Sequence, residues 1–474
     1  MNKKLKVYLI EPLSISYSSR ILTVTPNPNN FGSLLPTGIW EPYSLECLGA
    51  YVKEVFPFLD IEILQDSVVN VSKKLLPKIK LLKKYEKIII GVSTYTYMFP
   101  EILSFLSNIK KFRKVITVVG GYHPSGTEEE IVKYPQIDFV IVGEGEIPFL
   151  KLIQNILNES LPPDKILYSL GKISMSQFPY PLRFKKYLMR AKSYPLAYPF
   201  PPEQRAPAMI TYGRGCYFKC PFCASSLIWK SSKISFRSVE KVVNEIKYLK
   251  EKFGTNLLYW TDLAINNNKK KLIELLTEIV NSKIKINSFG YVNQRLDEET
   301  CYLLKQSGFR RLGYGVETLK PNRLKQIKRF QNLERVKRAL EIADGMGIIT
   351  RAYLMIGFPD EEPKEIIELI DSALDLPIDQ VRLGFFTPFV GTPLYEKYKN
   401  LLTEDWKRFT GDVPVFLHHI KYEDEWIKTR KMAIKKFYTS EKYRKRIENK
   451  IKRFPYLKNS FKFFFNELKG KINE

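Results

Sequence analysis

What most restricts the fold of this chain is an alternation of short apolar β-type runs with amphipathic helical runs, which occurs twice with one break between. In the first half Lys6–Glu11, Asp60–Leu64, Ile88–Ser93, Val115–Val119 and Phe139–Val142 read as strands, separated by helical stretches such as Ser44–Val52. In the second, strands are expected at Met209–Tyr212, Leu257–Thr261, Ile286–Tyr291, Arg311–Val316, Arg351–Ile356 and Gln380–Phe386. Helices are expected between them at Val239–Phe253, Lys270–Ser282, Glu298–Ser307, Leu333–Met346 and Glu362–Asp375. This pattern implies an α/β protein: a doubly wound parallel sheet, then a partial (βα)6 barrel, with ligands beyond the carboxyl ends of the strands. The break, Pro162 to Pro207, carries Pro179, Pro181, Pro195, Pro199, Pro201 and Pro202 and cannot hold a continuous helix. The chain therefore divides into residues 1–161, a connector 162–207, the barrel 208–400 and a basic helical segment 401–474.

The barrel opens on Gly213-Arg214-Gly215-Cys216-Tyr217-Phe218-Lys219-Cys220-Pro221-Phe222-Cys223, which holds three of the 5 cysteines. CxxxCxxC spacing makes a ligand set, not a disulfide framework. A cubane iron–sulfur cluster takes one thiolate per iron, so three thiolates leave one iron open to a cofactor or substrate. The flanking glycines let the backbone approach inorganic sulfide, and Phe222 puts an aromatic face beside the metal. A structural zinc knuckle needs a fourth Cys or His nearby, and His123, His418 and His419 are all distant in sequence. Cys47 and Cys301 fall within helical apolar patterns as small hydrophobes.

This loop resembles the cysteine motif of the radical S-adenosylmethionine (SAM) superfamily. The resemblance implies that Cys216, Cys220 and Cys223 hold a 4Fe-4S cluster, with Phe222 at the family's aromatic position. It also implies that the open iron chelates the methionine part of SAM, and that an electron from a donor such as ferredoxin or flavodoxin releases a 5′-deoxyadenosyl radical. Further matches fall at expected strand ends, in the family's order. Trp260-Thr261-Asp262-Leu263 makes Asp262 the partner of the cofactor ammonium, although Leu263 replaces a second acid. Arg295 matches an arginine after the third strand, and Gly315-Val316-Glu317-Thr318 makes Glu317 a partner of a cofactor polar group. Met355-Ile356-Gly357-Phe358-Pro359 matches a turn, at Gly357, that packs on adenine, and Thr387–Leu394 resembles the loop that closes the core. Each alone could be a capping acid or loop glycine; together and in order they read as one site.

The first half has its own site. Ser93-Thr94-Tyr95-Thr96, Gly120-Gly121-Tyr122-His123-Pro124 and Gly143-Glu144-Gly145-Glu146 follow three successive strands, and glycines on one sheet edge let a large flat ligand lie against backbone. These turns resemble the cobalamin-binding domain that precedes the barrel in one branch of the radical SAM enzymes. The resemblance implies cobalamin contacts at Ser93, Gly120, Gly121, His123, Gly143, Glu144 and Gly145. Where such domains supply a cobalt-binding histidine the motif is Asp-x-His-x-x-Gly after the first strand. Here Gly121 stands at the Asp position, the motif follows a later strand, and the carboxylate that would orient an imidazole is missing. His123 is therefore expected as a turn histidine near the corrin; a domain kept as scaffold without cobalamin stays open.

Formal charge is +26, from 76 Lys and Arg against 50 Asp and Glu, which fits either an anionic partner or a lysine-rich solvated surface. Asp424–Arg446 reads as one basic amphipathic helix, followed by Phe454, Tyr456, Phe461, Phe463, Phe464, Phe465 and Leu468 among lysines and arginines. Three destinations stay open for this tail: an anionic bilayer, nucleic acid, or the surface of the barrel. No long apolar run is present, and iron-binding thiolates need a reducing compartment, so the expected location is cytoplasmic, at most peripheral on the inner membrane face.

The expected activity is hydrogen abstraction from an unactivated C–H bond, ending in methylation, ring formation, coupling or dehydrogenation. The family includes hopanoid methylases and archaeal enzymes that install rings in tetraether lipids, and the basic aromatic tail favours a membrane lipid. An RNA-modifying enzyme with a second cluster is disfavoured because only Cys47 and Cys301 remain outside the triad; a cluster- or cobalamin-binding protein without catalysis is disfavoured because the barrel positions are kept together. Replacing Cys216, Cys220 or Cys223 with Ala is expected to abolish the cluster after anaerobic reconstitution, read as bound iron and sulfide. Cys47→Ala and Cys301→Ala are expected to retain it.

Overall fold

The computed structural model describes residues 5–13, 41–82, 84–169, 173–193, 207–229 and 233–472. Pro26, Pro28 and Pro36, and the connector prolines Pro195, Pro199, Pro201 and Pro202, lie outside them. The first domain is a parallel sheet of β1 (Leu5–Leu13), β2 (Asp60–Ser67), β3 (Lys87–Ser93), β4 (Val115–Gly120), β5 (Phe139–Val142) and β6 (Ile166–Tyr168). Its order, β2-β1-β3-β4-β5-β6, reverses direction at β1/β3, the switch point where doubly wound sheets bind ligands. β6, inside the segment read as connector, pairs with β5 from Val140↔Ile166 to Val142↔Tyr168. The sheet strands are apolar runs because helices cover both faces. Val71, Leu75, Ile102 and Leu106 close one side, and Leu45, Val52, Leu152 and Ile153 the other.

The second domain begins with β7 (Pro207–Ile210) and a short antiparallel pair, β8 (Gly213–Arg214) and β9 (Ser235–Phe236), which flanks the cysteine loop. It continues with β10 (Leu257–Trp260), β11 (Asn287–Val292), β12 (Phe309–Glu317), β13 (Ile349–Ile356) and β14 (Gln380–Phe385). All six long strands are parallel and in chain order, so the sheet is an open barrel with β7 and β14 at its edges. Local chemistry starts four of the crossover helices; the fifth, Glu365–Leu374, has no side-chain cap. Ser238, Asn268, Asp297 and Asn332 accept hydrogen bonds from the backbone N–H of Lys241, Lys271, Thr300 and Arg335, three residues on.

The C-terminal segment corrects the expectation of one long helix. Ser440 is extended, and its hydroxyl accepts from Tyr443 N at 3.2 Å, so it ends Glu423–Thr439 and caps Glu441–Arg453. A last helix, Lys458–Ile472, follows. Phe461 and Phe464 are each 0 % exposed and belong, with Leu457, to the core of the barrel. Phe454 and Phe465 pack partly buried against the same core while Tyr456 is half exposed, so most of the tail's described aromatic surface turns to the barrel, which weakens the apolar part of the case for a bilayer surface; the side chains of Phe463 and Leu468 lie outside the described residues. Truncation after Arg453 is expected to lower the melting temperature sharply, and Phe464→Ala to cost about 3–5 kcal/mol in denaturant titrations. Binding to anionic vesicles is expected to be the same for truncated and intact protein.

Candidate functional site

The cysteine loop is held from behind by an acid at the end of β10. Asp262 accepts from Tyr212 N at 3.0 Å and from Gly213 N at 2.7 Å, one donor for each carboxylate oxygen. Burial raises its pKa to about 6 even against these donors. Asp262 thus fixes the backbone that leads into Cys216, a geometry that does not fit its expected role as partner of a cofactor ammonium. Its neighbour Leu263, not Asp262, faces the cavities on this side.

Cys220 is 7 % exposed, and Cys216 and Cys223 are half-buried. Arg329 Nη1 donates to Cys220 Sγ at 2.7 Å, Nη2 approaches Glu317 Oε1 at 3.9 Å, and the guanidinium lies 5.5 Å from the Phe218 ring centre. Burial pushes the Cys216 and Cys220 thiols up and Arg329 pulls both down, so the guanidinium stabilises the thiolate form that metal needs. Burial likewise raises Glu317, with Arg329 opposing. Glu317 has φ +64 and sits where the β12–β13 register slips, and its Oε1 lies 2.6 Å from where a Cβ would stand at Gly315, so that position is kept bare. Among the described residues no three His, Cys, Asp or Glu converge on one point as a single metal ion requires. A cubane takes its thiolates at separate corners, so this donor set suits a cluster better than a lone ion.

The remaining expected residues fall around this loop. Phe222 packs at the edge of a cluster with Phe358 and Phe386. Arg295 is exposed, its guanidinium 5.7 Å from the Phe218 ring centre. Gly357 has φ +74, and its N–H and that of Phe358 both donate to Glu361 Oε2. A Cβ at Gly357 would stand 2.8 Å from Phe385 Cδ1, so the turn requires glycine. A cavity of about 280 Å³ lies against the loop, lined by Cys216, Phe218, Cys220, Ser225, Trp229 and Leu263 among others.

A larger cavity, about 530 Å³, opens between the two domains. Ser93, Gly120, Gly121, Gly143, Glu144 and Gly145 line it from the first sheet, and Thr211, Arg214, Gly215 and Leu263 from the barrel. Gly121 has φ +103, and a Cβ there would meet Thr94 O at 2.9 Å. Ser125 joins two of the glycine turns, donating to Gly121 O at 2.8 Å and accepting from Gly143 N at 3.0 Å. Tyr95 stacks on Tyr97 and Tyr122, and all three line the wall. Bare backbone beneath and flat rings beside suit a corrin.

His123 is not part of this wall. Its ring is wedged between Phe99 and Trp406, at 4.5 and 4.7 Å between ring centres, with neither nitrogen hydrogen-bonded. Burial lowers its pKa to about 3. The expectation of a histidine beside the corrin is corrected: His123 is a packing residue at the contact with the C-terminal segment.

Two groups of contacts set the domains against each other. Arg214, just before Cys216, bonds Glu146 at 2.6 Å and Glu144 at 3.3 Å. Deeper, Arg183 bridges Glu41 at 2.6 Å and Glu245 at 2.5 Å, while Arg237 meets Glu245 at 2.6 Å; these side chains are at most 2 % exposed. Glu46, 3.9 Å from Arg183, is driven well above the carboxylate range by burial and by Glu41. Arg329, Arg183, Trp229 and the tyrosine stack were not found from the sequence. The Gly-Arg-Gly and Gly-Glu-Gly-Glu turns carried opposite charges, a signal for the Arg214 contact.

The comparisons agree with this geometry. The radical SAM superfamily signature matches residues 210–373, and the B12 binding domain signature matches 36–153. The chain is a radical SAM enzyme with a B12-binding domain. These domains imply a 4Fe-4S cluster, SAM and cobalamin. The enzyme is 26 % identical over 447 residues to an uncharacterized methyltransferase of Pyrococcus horikoshii, covering 89 % of this chain and 90 % of that one. It is 24 % identical to an anaerobic magnesium-protoporphyrin IX monomethyl ester cyclase of Rubrivivax gelatinosus, covering 80 % of this chain and 70 % of the relative. In fold it is similar to the radical SAM methyltransferase TsrM of Kitasatospora setae, with TM-score 0.63 and 18 % identity over 84 % of this chain and 78 % of that one. OxsB, a cobalamin-dependent radical SAM enzyme, gives TM-score 0.59 and 19 % identity over 84 % of this chain and 55 % of its own.

The buried network makes a test by substitution and pH. Glu245→Gln leaves two buried guanidiniums short of a carboxylate and is expected to cost about 3–5 kcal/mol. Glu46→Gln is expected to be mild. The folded state binds a Glu46 proton that the unfolded chain releases above its ordinary value of 4.5, so wild-type stability falls as pH rises past that point. Denaturant titrations from about pH 5 to about pH 8 should show Glu46→Gln gaining on wild type as pH rises.

Proposed function

We propose that this enzyme transfers a methyl group to, or closes a ring at, an unactivated carbon of a small molecule held in the barrel. One observation carries the reading: Trp229 and Leu263 line both the interdomain cavity and the cavity at the cysteine loop, so the two cofactor chambers share walls. When bound, the cluster and SAM supply radical chemistry and cobalamin supplies a transferable methyl group. The chain's own residues do the rest. Cys216, Cys220 and Cys223 would hold the cluster, with Arg329 steadying the Cys220 sulfur; Glu317 and the Gly357 turn would hold SAM. Ser93 and the Gly120, Gly121, Gly143 and Gly145 backbone would cradle the corrin, and Asp262 and Arg214 fix the loop between the chambers.

Methyl transfer leads because a relative that matches nine tenths of both chains is a methyltransferase by name. Ring closure is the second reading, favoured by the cyclase relative. A membrane-lipid substrate now rests on net charge and family analogy, since Phe461 and Phe464 are core; an external electron donor remains part of the reading. The test is anaerobic reconstitution with iron, sulfide and hydroxocobalamin, then reduction with SAM labelled in its methyl group. Retained cobalamin, 5′-deoxyadenosine and, with extracts of the source cells, a labelled small molecule are expected. A protein that keeps no corrin and forms no 5′-deoxyadenosine would overturn the reading.

A further inference from the structure

The strands β11–β14 separate two environments. Their outward residues, such as Val292, Leu312, Leu354 and Leu383, are buried in the core beneath the helices. Their inward residues toward the carboxyl end, Tyr291, Gly315, Tyr353 and Arg382, keep partial exposure at the centre of the barrel. The barrel thus encloses an open well below the cysteine loop. The well has a closed floor: Phe289, Arg311 and Arg351 are each 5 % exposed, and Gln380 is 0 % exposed. Arg351 stands in register with Gly313 on one side and Gln380 on the other, so it shares their face of the sheet.

The chemistry of this floor is incomplete. The Arg351 guanidinium lies 5.2 Å from the Tyr353 ring centre, yet its Nε has no hydrogen-bond partner, and Arg351 forms no ion pair among the described residues. Neither polar atom of the Gln380 side-chain amide has a partner either. Arg311, stacked over Phe289 at 4.4 Å, adds a second buried cation, and burial together with Arg351 lowers its pKa to about 10. A buried guanidinium is costly unless an anion accompanies it, and a forked donor fits a carboxylate or phosphate. Above it, the Tyr291 and Tyr353 hydroxyls meet at 3.2 Å and their rings line the well.

We propose that the floor of the well is an oxyanion site in which Arg351 and Gln380 hold a carboxylate or phosphate of the substrate. This rests on the reading of the barrel as the substrate chamber. The anion sits at the bottom, the apolar body lies along Tyr291 and Tyr353, and the reacting carbon reaches the level of Glu317 and the cysteine loop. Arg351 precedes Gly357 by six residues, about 20 Å of strand at the usual rise, so the substrate is elongated with its anion and its reacting carbon at opposite ends.

The test is equilibrium dialysis of the reconstituted holoprotein against hexanoate, hexyl phosphate and hexanol, which needs no turnover and so separates this proposal from the assignment of the reaction. Either anion, but not the alcohol, is expected to bind, and the better of the two identifies the oxyanion. Arg351→Gln and Arg351→Lys are each expected to weaken it at least about tenfold, the loss of one strong hydrogen-bonded pair. No anion binding, equal binding of hexanol, or unchanged affinity in both variants would overturn the site. Should either variant fail to fold, the comparison of anion with alcohol on the wild-type protein still decides.

Discussion

The contact on which the rest of this structure depends is the one between Arg214 and the two carboxylates of the Gly-Glu-Gly-Glu turn, at 2.6 and 3.3 Å. The arginine belongs to the loop that carries the cysteines, and the acids belong to the sheet edge that carries the glycine turns. Two cofactors that must cooperate need their chambers at a fixed spacing, and a charge-assisted bond in a mostly dehydrated place resists sliding better than apolar contact does. The Arg183–Glu41–Glu245–Arg237 network supports it from below, tying the connector to the start of the first helix and to the barrel. A buried ionic network of this kind adds less to stability than its number of contacts suggests. Its value here is geometric.

The cysteine loop shows the same division between holding and reacting. Asp262 gives both oxygens to backbone N–H groups, and Glu361 gives one oxygen to two of them. Both acids are spent on positioning the backbone of glycine-containing turns, at Tyr212-Gly213 and Gly357-Phe358. Arg329 has the opposite character. It comes from a loop with nothing to distinguish it among neighbouring lysines, yet it reaches the sulfur of Cys220 and approaches Glu317.

Much of the fold was legible because each layer of it repeats a local rule. Ser238, Asn268, Asp297 and Asn332 announce the barrel helices through caps that need only three residues of context. Apolar runs between them fix the strands within about two residues. The cysteine spacing and the glycine turns pointed to both cofactors for the same reason: the constraint lies in the backbone, and the backbone needs particular residues. What could not be read is what depends on distant partners. Nothing near His123 says that Trp406 covers it, and nothing near Phe464 says that the barrel core receives it. The tail looked like a surface because aromatics among lysines are ambiguous until the face they turn inward is known. Ser440 broke a helix that periodicity alone would continue.

The burial of Phe461 and Phe464 also sets an order of events at the ribosome. The strands of the first sheet are complete once residue 168 has emerged, because β6 is the last of them, although Tyr187 and Trp406 join its core later. The barrel core waits for the final helix, Lys458–Ile472, more than half the chain later. Domains fold as units, the N-terminal one first. The edge that carries the glycine turns therefore folds while the cysteine loop still hangs from an unfinished barrel. In the growing chain the thiols are open to solvent before their chamber has closed.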